Sequence, residues 1–287
     1  MKQKLLFLTV IICCSFYFAA CTSESYNIDN ANSSDTAVVK TPVVVNTAEV
    51  EKILKSKKTY TVKSAPTFVL SLNGQINIGV SEMSLLDNPQ QFVGGQNFGV
   101  RNGWGINALG KFPIDKQKGN LRVIVQGSYN HFQGNFNNTI DANGDIRYNI
   151  ISGGVGIENN FTPTFSVKPF VGALLLGSLI SGGSSFDTSG VPFDITIKNS
   201  FRLGYSLYAG IEYAVSNNIG LQLGAKFTSC NTWLKSSKNN GSNTEFVLRD
   251  AFSSPQIPYG GWKNFAFTSF YIGTSIYFGV KDRIFKF

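Results

Sequence analysis

Five charged side chains, Lys111, Arg122, Glu158, Glu212 and Lys226, each fall on the polar side of a run in which apolar and polar residues alternate. Charges enclosed in such a position must pair, so they read as a network in which the two carboxylates face Arg122, Lys111 or Lys226. That network would either plug a packed interior or line an ion-selective passage. His131 is the sole histidine and stands close to Ser128 and Asn130. A serine–histidine pair needs a direct hydrogen bond for the base to activate the nucleophile. Ser128 and His131 are separated by an odd number of positions, so a regular strand turns them to opposite faces. His131 is therefore expected at the root of a loop or in an aromatic girdle, and no catalytic residue is assigned. Asp141, Asn143, Gly144 and Asp145 form an acidic turn that lacks the spacing and closing glutamate of an EF-hand, and it reads as an ordinary Asn-Gly turn. One histidine and no cysteine cluster argue against zinc, and no metal or cofactor is implied.

The elements that must position these charges are strands. Residues 268 to 280 alternate: Phe270, Ile272, Ile276, Phe278 and Val280 share one face, and Ser269, Tyr271, Gly273, Ser275 and Gly279 the other. The same pattern recurs upstream. Over about 67 to 81, Leu72, Ile76 and Ile78 oppose Ser71, Asn73, Gln75 and Asn77; over about 98 to 112, Trp104 and Ile106 oppose Asn107 and Lys111. Over about 120 to 133, Val123 and Val125 oppose Arg122, Gln126, Ser128 and Asn130; over about 146 to 161, Ile151, Val155 and Ile157 oppose Ser152 and Glu158. The sixth and seventh segments, about 200 to 215 and 219 to 234, set Leu207 and Ile211 against Arg202 and Glu212, and Leu221 and Leu223 against Gln222 and Lys226. The fifth, about 165 to 181, is apolar on both faces through Gly172 to Gly177, and its facing is undetermined.

Asparagine and glutamine in mid-strand suit a barrel lumen better than a soluble core, and each segment exceeds the roughly 9 to 11 residues that a tilted strand needs to cross hydrocarbon. The fold expected is all-β: a closed antiparallel up-and-down transmembrane barrel of about eight strands over 65 to 287. Mean hydropathy near zero, +0.01, fits because lipid-facing and lumen-facing residues average out. The connections expected to be long, at 82 to 97, 134 to 145, 182 to 199 and 235 to 264, alternate with short ones at 113 to 119, 162 to 164 and 216 to 218. Short turns of such barrels are periplasmic, which places both termini there.

Ahead of the barrel, residues 1 to 20 read as a signal peptide, with Lys2 and Lys4 before the apolar run Leu5 to Ala20. Phe18-Ala19-Ala20-Cys21 resembles a lipobox, with phenylalanine where leucine or valine is usual, and the resemblance implies lipidation of Cys21. Residues 21 to 64 form a linker in which Asn46-Thr47-Ala48-Glu49 caps a short helix near 47 to 57. Much of the formal charge of +8 falls on Lys52, Lys55, Lys57, Lys58 and Lys63, a solvated basic stretch beside the barrel. Nothing in it resembles a nucleic-acid module.

Over about 65 to 280 the chain resembles the small eight-stranded outer-membrane barrels of the OmpA and OmpW type. Tyr271-Ile272-Gly273-Thr274-Ser275-Ile276-Tyr277-Phe278 looks like their last-strand assembly signal, with Tyr271, Gly273, Ile276 and Phe278 at its defining positions; the chain departs by continuing to Phe287. The resemblance implies insertion by the barrel-assembly machinery and a structural, adhesive or minor-permeability role. The partners expected are outer-membrane lipid and lipopolysaccharide, with the protein a monomer. The competing readings are a narrow transport barrel, an outer-membrane lipid-modifying enzyme, and a soluble lipocalin-like lipoprotein that would turn Phe270, Leu207 and Leu223 into a shared dry interior.

Overall fold

The computed structural model describes residues 59–83, 97–114, 119–138, 142–162, 165–188, 191–237, 245–252, 261–280 and 282–286. The signal peptide, Cys21 and the expected helix near 47 to 57 lie outside them.

Eleven strands follow in chain order: β1 (Thr59–Lys63), β2 (Phe68–Val80), β3 (Asn102–Pro113), β4 (Leu121–Asn138), β5 (Ala142–Asn160), β6 (Val167–Thr188), β7 (Val191–Ala214), β8 (Ile219–Trp233), β9 (Glu245–Val247), β10 (Ala266–Phe278) and β11 (Asp282–Lys286). Eight of them close into an antiparallel barrel in the order β2, β3, β4, β5, β6, β7, β8, β10, with β10 pairing back onto β2 from Phe278↔Phe68 to Ala266↔Val80. Over the stretch where all eight strands pair, closure leaves no open edge. This is the eight-stranded architecture that the resemblance implied.

The facing settles the lipocalin-like alternative against itself. Phe270, Leu207 and Leu223 are 55%, 40% and 63% exposed, while Ser71, Asn77, Ser269 and Ser275 are buried. An apolar belt outside and a polar interior is the inverse of a soluble barrel and the signature of one that spans a membrane. The described residues contain no helix long and apolar enough to cross a membrane, so any crossing is made by the strands. The fifth segment, β6, resolves with Val171, Leu175 and Leu179 outward and Lys168, Phe170, Leu174, Leu176, Ser178 and Ile180 inward. It is apolar on both faces because its lumen side packs against Leu109, Ile124, Tyr208 and Tyr271.

Two expectations are corrected. Two of the four long connections are mostly strand: β4 and β5 continue to a link at 139–141, and β6 and β7 to one at 189–190. These hairpins pair beyond the belt through polar residues, and strand hydrogen bonding there needs no apolar alternation to betray it. Asn143, Gly144 and Asp145 consequently lie in β5 opposite Asn137, Phe136 and Asn135 rather than in an acidic turn. The end of the stretch read as a linker forms β1, which pairs antiparallel with β11 from Thr59↔Lys286 to Lys63↔Asp282. The chain leaves β10 for that ribbon through Gly279, whose φ of 73° is readily adopted only by glycine.

Candidate functional site

The lumen is filled in three layers. At the short-turn end, each strand of the barrel sends at least one polar side chain into a single network. Glu158 on β5 lies directly opposite Arg122 on β4 and accepts from Arg122 Nη1 at 3.2 Å, from Lys111 Nζ on β3 and from the Tyr208 hydroxyl on β7 at 3.2 Å. The Lys111 ammonium is 2.9 Å from Glu158 Oε2 and 3.9 Å from Glu212 Oε2. Glu212 on β7 also accepts from Ser275 Oγ on β10 at 3.1 Å and from Gln222 Nε2 on β8 at 3.3 Å, and lies 3.7 Å from Lys168 Nζ on β6. Ser71 on β2 completes the circuit by accepting from Gln222 Nε2 at 2.6 Å. Three cations thus surround two carboxylates, all five side chains withdrawn from solvent.

Four of the five sequence-assigned charges belong to that network, and Lys226 does not. It faces the lumen and is buried, but among the described residues no carboxylate lies within ion-pair distance, because Lys226 sits higher on β8 than either glutamate's reach. Lys168 takes the place assigned to it. The unresolved facing of β6 hid Lys168, although it is the cross-strand neighbour of Glu212.

Above the charges comes an amide layer. Asn73 Nδ2 donates to Asn107 Oδ1 at 2.9 Å, Asn107 Nδ2 to Gln75 Oε1 at 2.8 Å, and Asn77 Nδ2 to Asn130 Oδ1 at 3.0 Å. Between this layer and the charges a cavity of about 10 Å³ is lined by Asn73, Lys226 and Tyr271, room for a single water.

The third layer is hydrocarbon. Phe132, Ile146, Tyr148, Ile150, Ile180 and Phe267 from the strands meet Met83, Phe98, Val100, Leu248 and Phe265 from the two long connections, forming one buried cluster across the mouth. Phe265 is its hub, with ring centroids 4.9 Å from Phe98 and 5.3 Å from Tyr148. The connection that carries Phe265 and Leu248 is tied down by Asp250. Its carboxylate accepts from Arg202 Nε at 2.8 Å, Asn231 Nδ2 at 2.7 Å and the Ser236 amide at 2.8 Å. Asp250 was missed because a long connection carries no periodicity that marks an inward residue. Beside it, burial pushes the Lys263 ammonium down to about 8, against the opposing pull of Asp250, and Arg249 lowers it further.

On the outer wall, His131 faces away from the lumen, and Ser128 faces into it, 3.5 Å from Gln126 Nε2. No serine–histidine dyad forms there. Among the described residues no cluster of three or more His, Cys, Asp or Glu side chains has a metal-binding arrangement.

The assembly-signal residues occupy the closing strand. Tyr271 and Gly273 point inward; a side chain at Gly273 would collide with the Leu72 carbonyl and Asn73. Phe278 is the last residue of β10 and stacks outward with Phe68 at 5.5 Å. Phe68 also lies 4.9 Å from Phe112, so an aromatic patch marks this end of the belt.

No family model matches the sequence, and no curated protein does. Among solved structures, neisserial surface protein A is similar over 75% of this chain and 99% of its own, at 16% identity and a TM-score of 0.40. Ail, the attachment invasion locus protein of Yersinia pestis, is similar over 75% of this chain and 97% of its own, at 12% identity and a TM-score of 0.33. The N-terminal β-barrel domain of Pseudomonas aeruginosa OprF is similar over 74% of this chain and 98% of its own, at 11% identity and a TM-score of 0.32. At these scores the likeness transfers no residue role, and the barrel rests on its own strand pairing and outward apolar belt.

Proposed function

We propose that this chain is a non-enzymatic barrel of the bacterial outer membrane that works through the surface it presents beyond the lipid, in a structural, adhesive or surface-interaction role. The observation that carries this reading is the filled lumen: a charged layer, an amide layer and a hydrocarbon cap succeed one another along the axis. An interior so occupied leaves the outer wall and connections as the working surface. β2 enters and β10 leaves the barrel side by side at the short-turn end, which in this reading is periplasmic. There a lipidated Cys21 would reach the inner leaflet of the same membrane, the closing strand ending at Phe278 would be read by the barrel-assembly machinery, and the barrel would work as a monomer in contact with outer-membrane lipid and lipopolysaccharide.

The test is single-channel recording in planar bilayers, together with fractionation with and without detergent and a heat-dependent gel shift. Membrane fractionation, a heat-modifiable band and no open level are expected. A steady open level would replace this reading with a narrow transport barrel. A lipid A profile altered by deletion of the protein would replace it with a lipid-modifying enzyme.

A further inference from the structure

The extended strands form a hollow outside the barrel that the lumen does not explain. Its floor begins with a row of outward residues paired strand to strand: Trp104 on β3, His131 on β4, Asn149 on β5 and Ser181 on β6. Two residues lower on each strand the corresponding row is Ile106, Tyr129, Ile151 and Leu179, part of the apolar belt. The hollow therefore opens where hydrocarbon gives way to headgroups. Its volume is about 1190 Å³, more than one small molecule needs. It is concave because the β6·β7 register breaks between Ile180 and Gly182, and such an irregularity bends and twists a sheet locally.

We infer that this hollow binds the saccharide headgroup of a membrane glycolipid. The inference rests on the membrane-spanning reading given above and adds a ligand class to it. Trp104 is 53% exposed and presents a ring backed by Tyr129 at 5.7 Å and His131 at 5.8 Å, an apolar platform for the C–H face of a sugar. Beside that platform, Asn149 Oδ1 accepts from the Tyr129 hydroxyl at 2.8 Å and stands 2.8 Å from His131 Nδ1. An amide oxygen only accepts, so this contact puts a hydrogen on Nδ1. That leaves the two Asn149 amide hydrogens to donate and His131 Nε2 to accept, a donor and an acceptor side by side for neighbouring hydroxyls. Higher on the wall, Arg147 and Lys198 share the hollow with Asp145 and Asp194, two charges of each sign. That balance gives a bare phosphate no net attraction, and an acyl chain would leave these polar groups unpaired; a polyhydroxylated ring meets both demands. Gly183 keeps the floor low, since an added Cβ would lie 3.8 Å from Arg147 Nε and 3.2 Å from the Ile195 carbonyl oxygen.

Of the chain's 3 tryptophans, Trp233 and Trp262 can be replaced by phenylalanine so that Trp104 alone reports. The full mature protein, folded in detergent micelles, is titrated with rough-type lipopolysaccharide, with the oligosaccharide freed from it by deacylation, and with phosphatidylglycerol. The expected result is a saturable change in Trp104 emission with both saccharide probes, tighter for the acylated one, and none with phosphatidylglycerol. Asn149→Ala should weaken binding by about three- to tenfold, the worth of one hydrogen bond. Gly183→Phe should weaken it further by raising a ring from the floor beside Arg147, with each variant shown to be folded by its heat-dependent gel shift. In protein that inserts into vesicles, an equal response to phosphatidylglycerol, or none to either saccharide probe, overturns the inference and leaves the membrane barrel standing. Equal affinity for the acylated and freed saccharides overturns the lipid-borne source in favour of free glycan. Failure of the wild-type protein to insert removes both readings together.

Discussion

The two ends of the lumen are closed by opposite chemistries, and the contrast separates what specifies the barrel from what merely seals it. At the short-turn end the closure is directional. Glu158 must meet Arg122 on the adjacent strand and Lys111 two strands away, and Glu212 must meet Lys168, Gln222 and Ser275. A one-residue slip of any strand would turn its contribution out into the lipid belt, so this network admits one register. At the mouth the closure is hydrocarbon, and about half of the cluster comes from connections rather than strands. Burial of that kind is non-directional, and it needs only that the connections arrive. The lower layer therefore belongs to the barrel's own folding, and the upper layer to a cap that can open without unzipping a strand.

The sharpest way to break this contrast is to remove one charge from the lower layer. Glu158→Gln should leave Lys111 and Arg122 enclosed without their shared carboxylate, at a cost of about 3–5 kcal/mol to the whole barrel. Denaturant unfolding of the refolded protein, followed by loss of the heat-modifiable band, measures it; an unchanged midpoint would show that the network does not specify closure. At the mouth, Phe265→Ala removes the ring on which Phe98, Phe132 and Tyr148 converge, at about 3 kcal/mol. Here the loss should be local: hydrogen exchange quickens at 261–267 and 245–250, while the strands below keep their protection. The variant should still carry no current, because the charged layer continues to fill the lumen. Current through Phe265→Ala alone would show the cap to be the only seal.

What the sequence disclosed follows the same division. The outward belt and the lumen positions of Asn73, Gln75, Arg122, Glu158, Glu212 and Gln222 were legible because period-two alternation is a local signal that the lipid boundary enforces. β6 escaped it, since inward Phe170, Leu174 and Leu176 pack against Tyr208 and Tyr271 and blur the alternation. Lys168 was lost with it, although antiparallel register from Glu212 leads straight to that position once β7 is oriented. Lys226 was offered as a carboxylate partner although its position in the seventh segment already set it farther from the short turns than Glu158 and Glu212, and that offset is what leaves it outside the network. The Asp250 clasp and the Phe98–Phe265 contact join residues far apart in the chain, through connections whose course no periodicity encodes. The polar upper hairpins read as loops because, beyond the lipid, nothing forces an outward residue to be apolar.

A smaller effect distinguishes the two carboxylates of the lower layer. Glu212 stands 3.7 Å and 3.9 Å from its lysines, while Glu158 has an ammonium at 2.9 Å and a guanidinium at 3.2 Å. An amide at 212 can still accept from Ser275, so Glu212→Gln should cost about 1–2 kcal/mol in the same unfolding assay, near the scale of a single charge-assisted hydrogen bond. A loss matching that of Glu158→Gln would mean that the two carboxylates hold the barrel as one unit.

The smallest effect concerns the mouth and depends on pH. Lys263 is held at about 8 chiefly by burial, its ammonium 4.6 Å over the Phe98 ring. In the open or unfolded chain a lysine keeps its proton up to about 10.4. Between those values the open form binds more protons than the closed one, so closure of the mouth gains stability as pH rises through that window and is weakest below it. Hydrogen exchange at 261–265, corrected for its intrinsic pH dependence, should slow from pH 8 to pH 10. Lys263→Met should flatten that dependence and protect the mouth more strongly at pH 7, while the strands of the lower layer exchange as before. A pH dependence that survives the substitution would move its origin away from Lys263. A substitution that changes exchange in both layers alike would join the two closures that the charge and hydrocarbon chemistry separates.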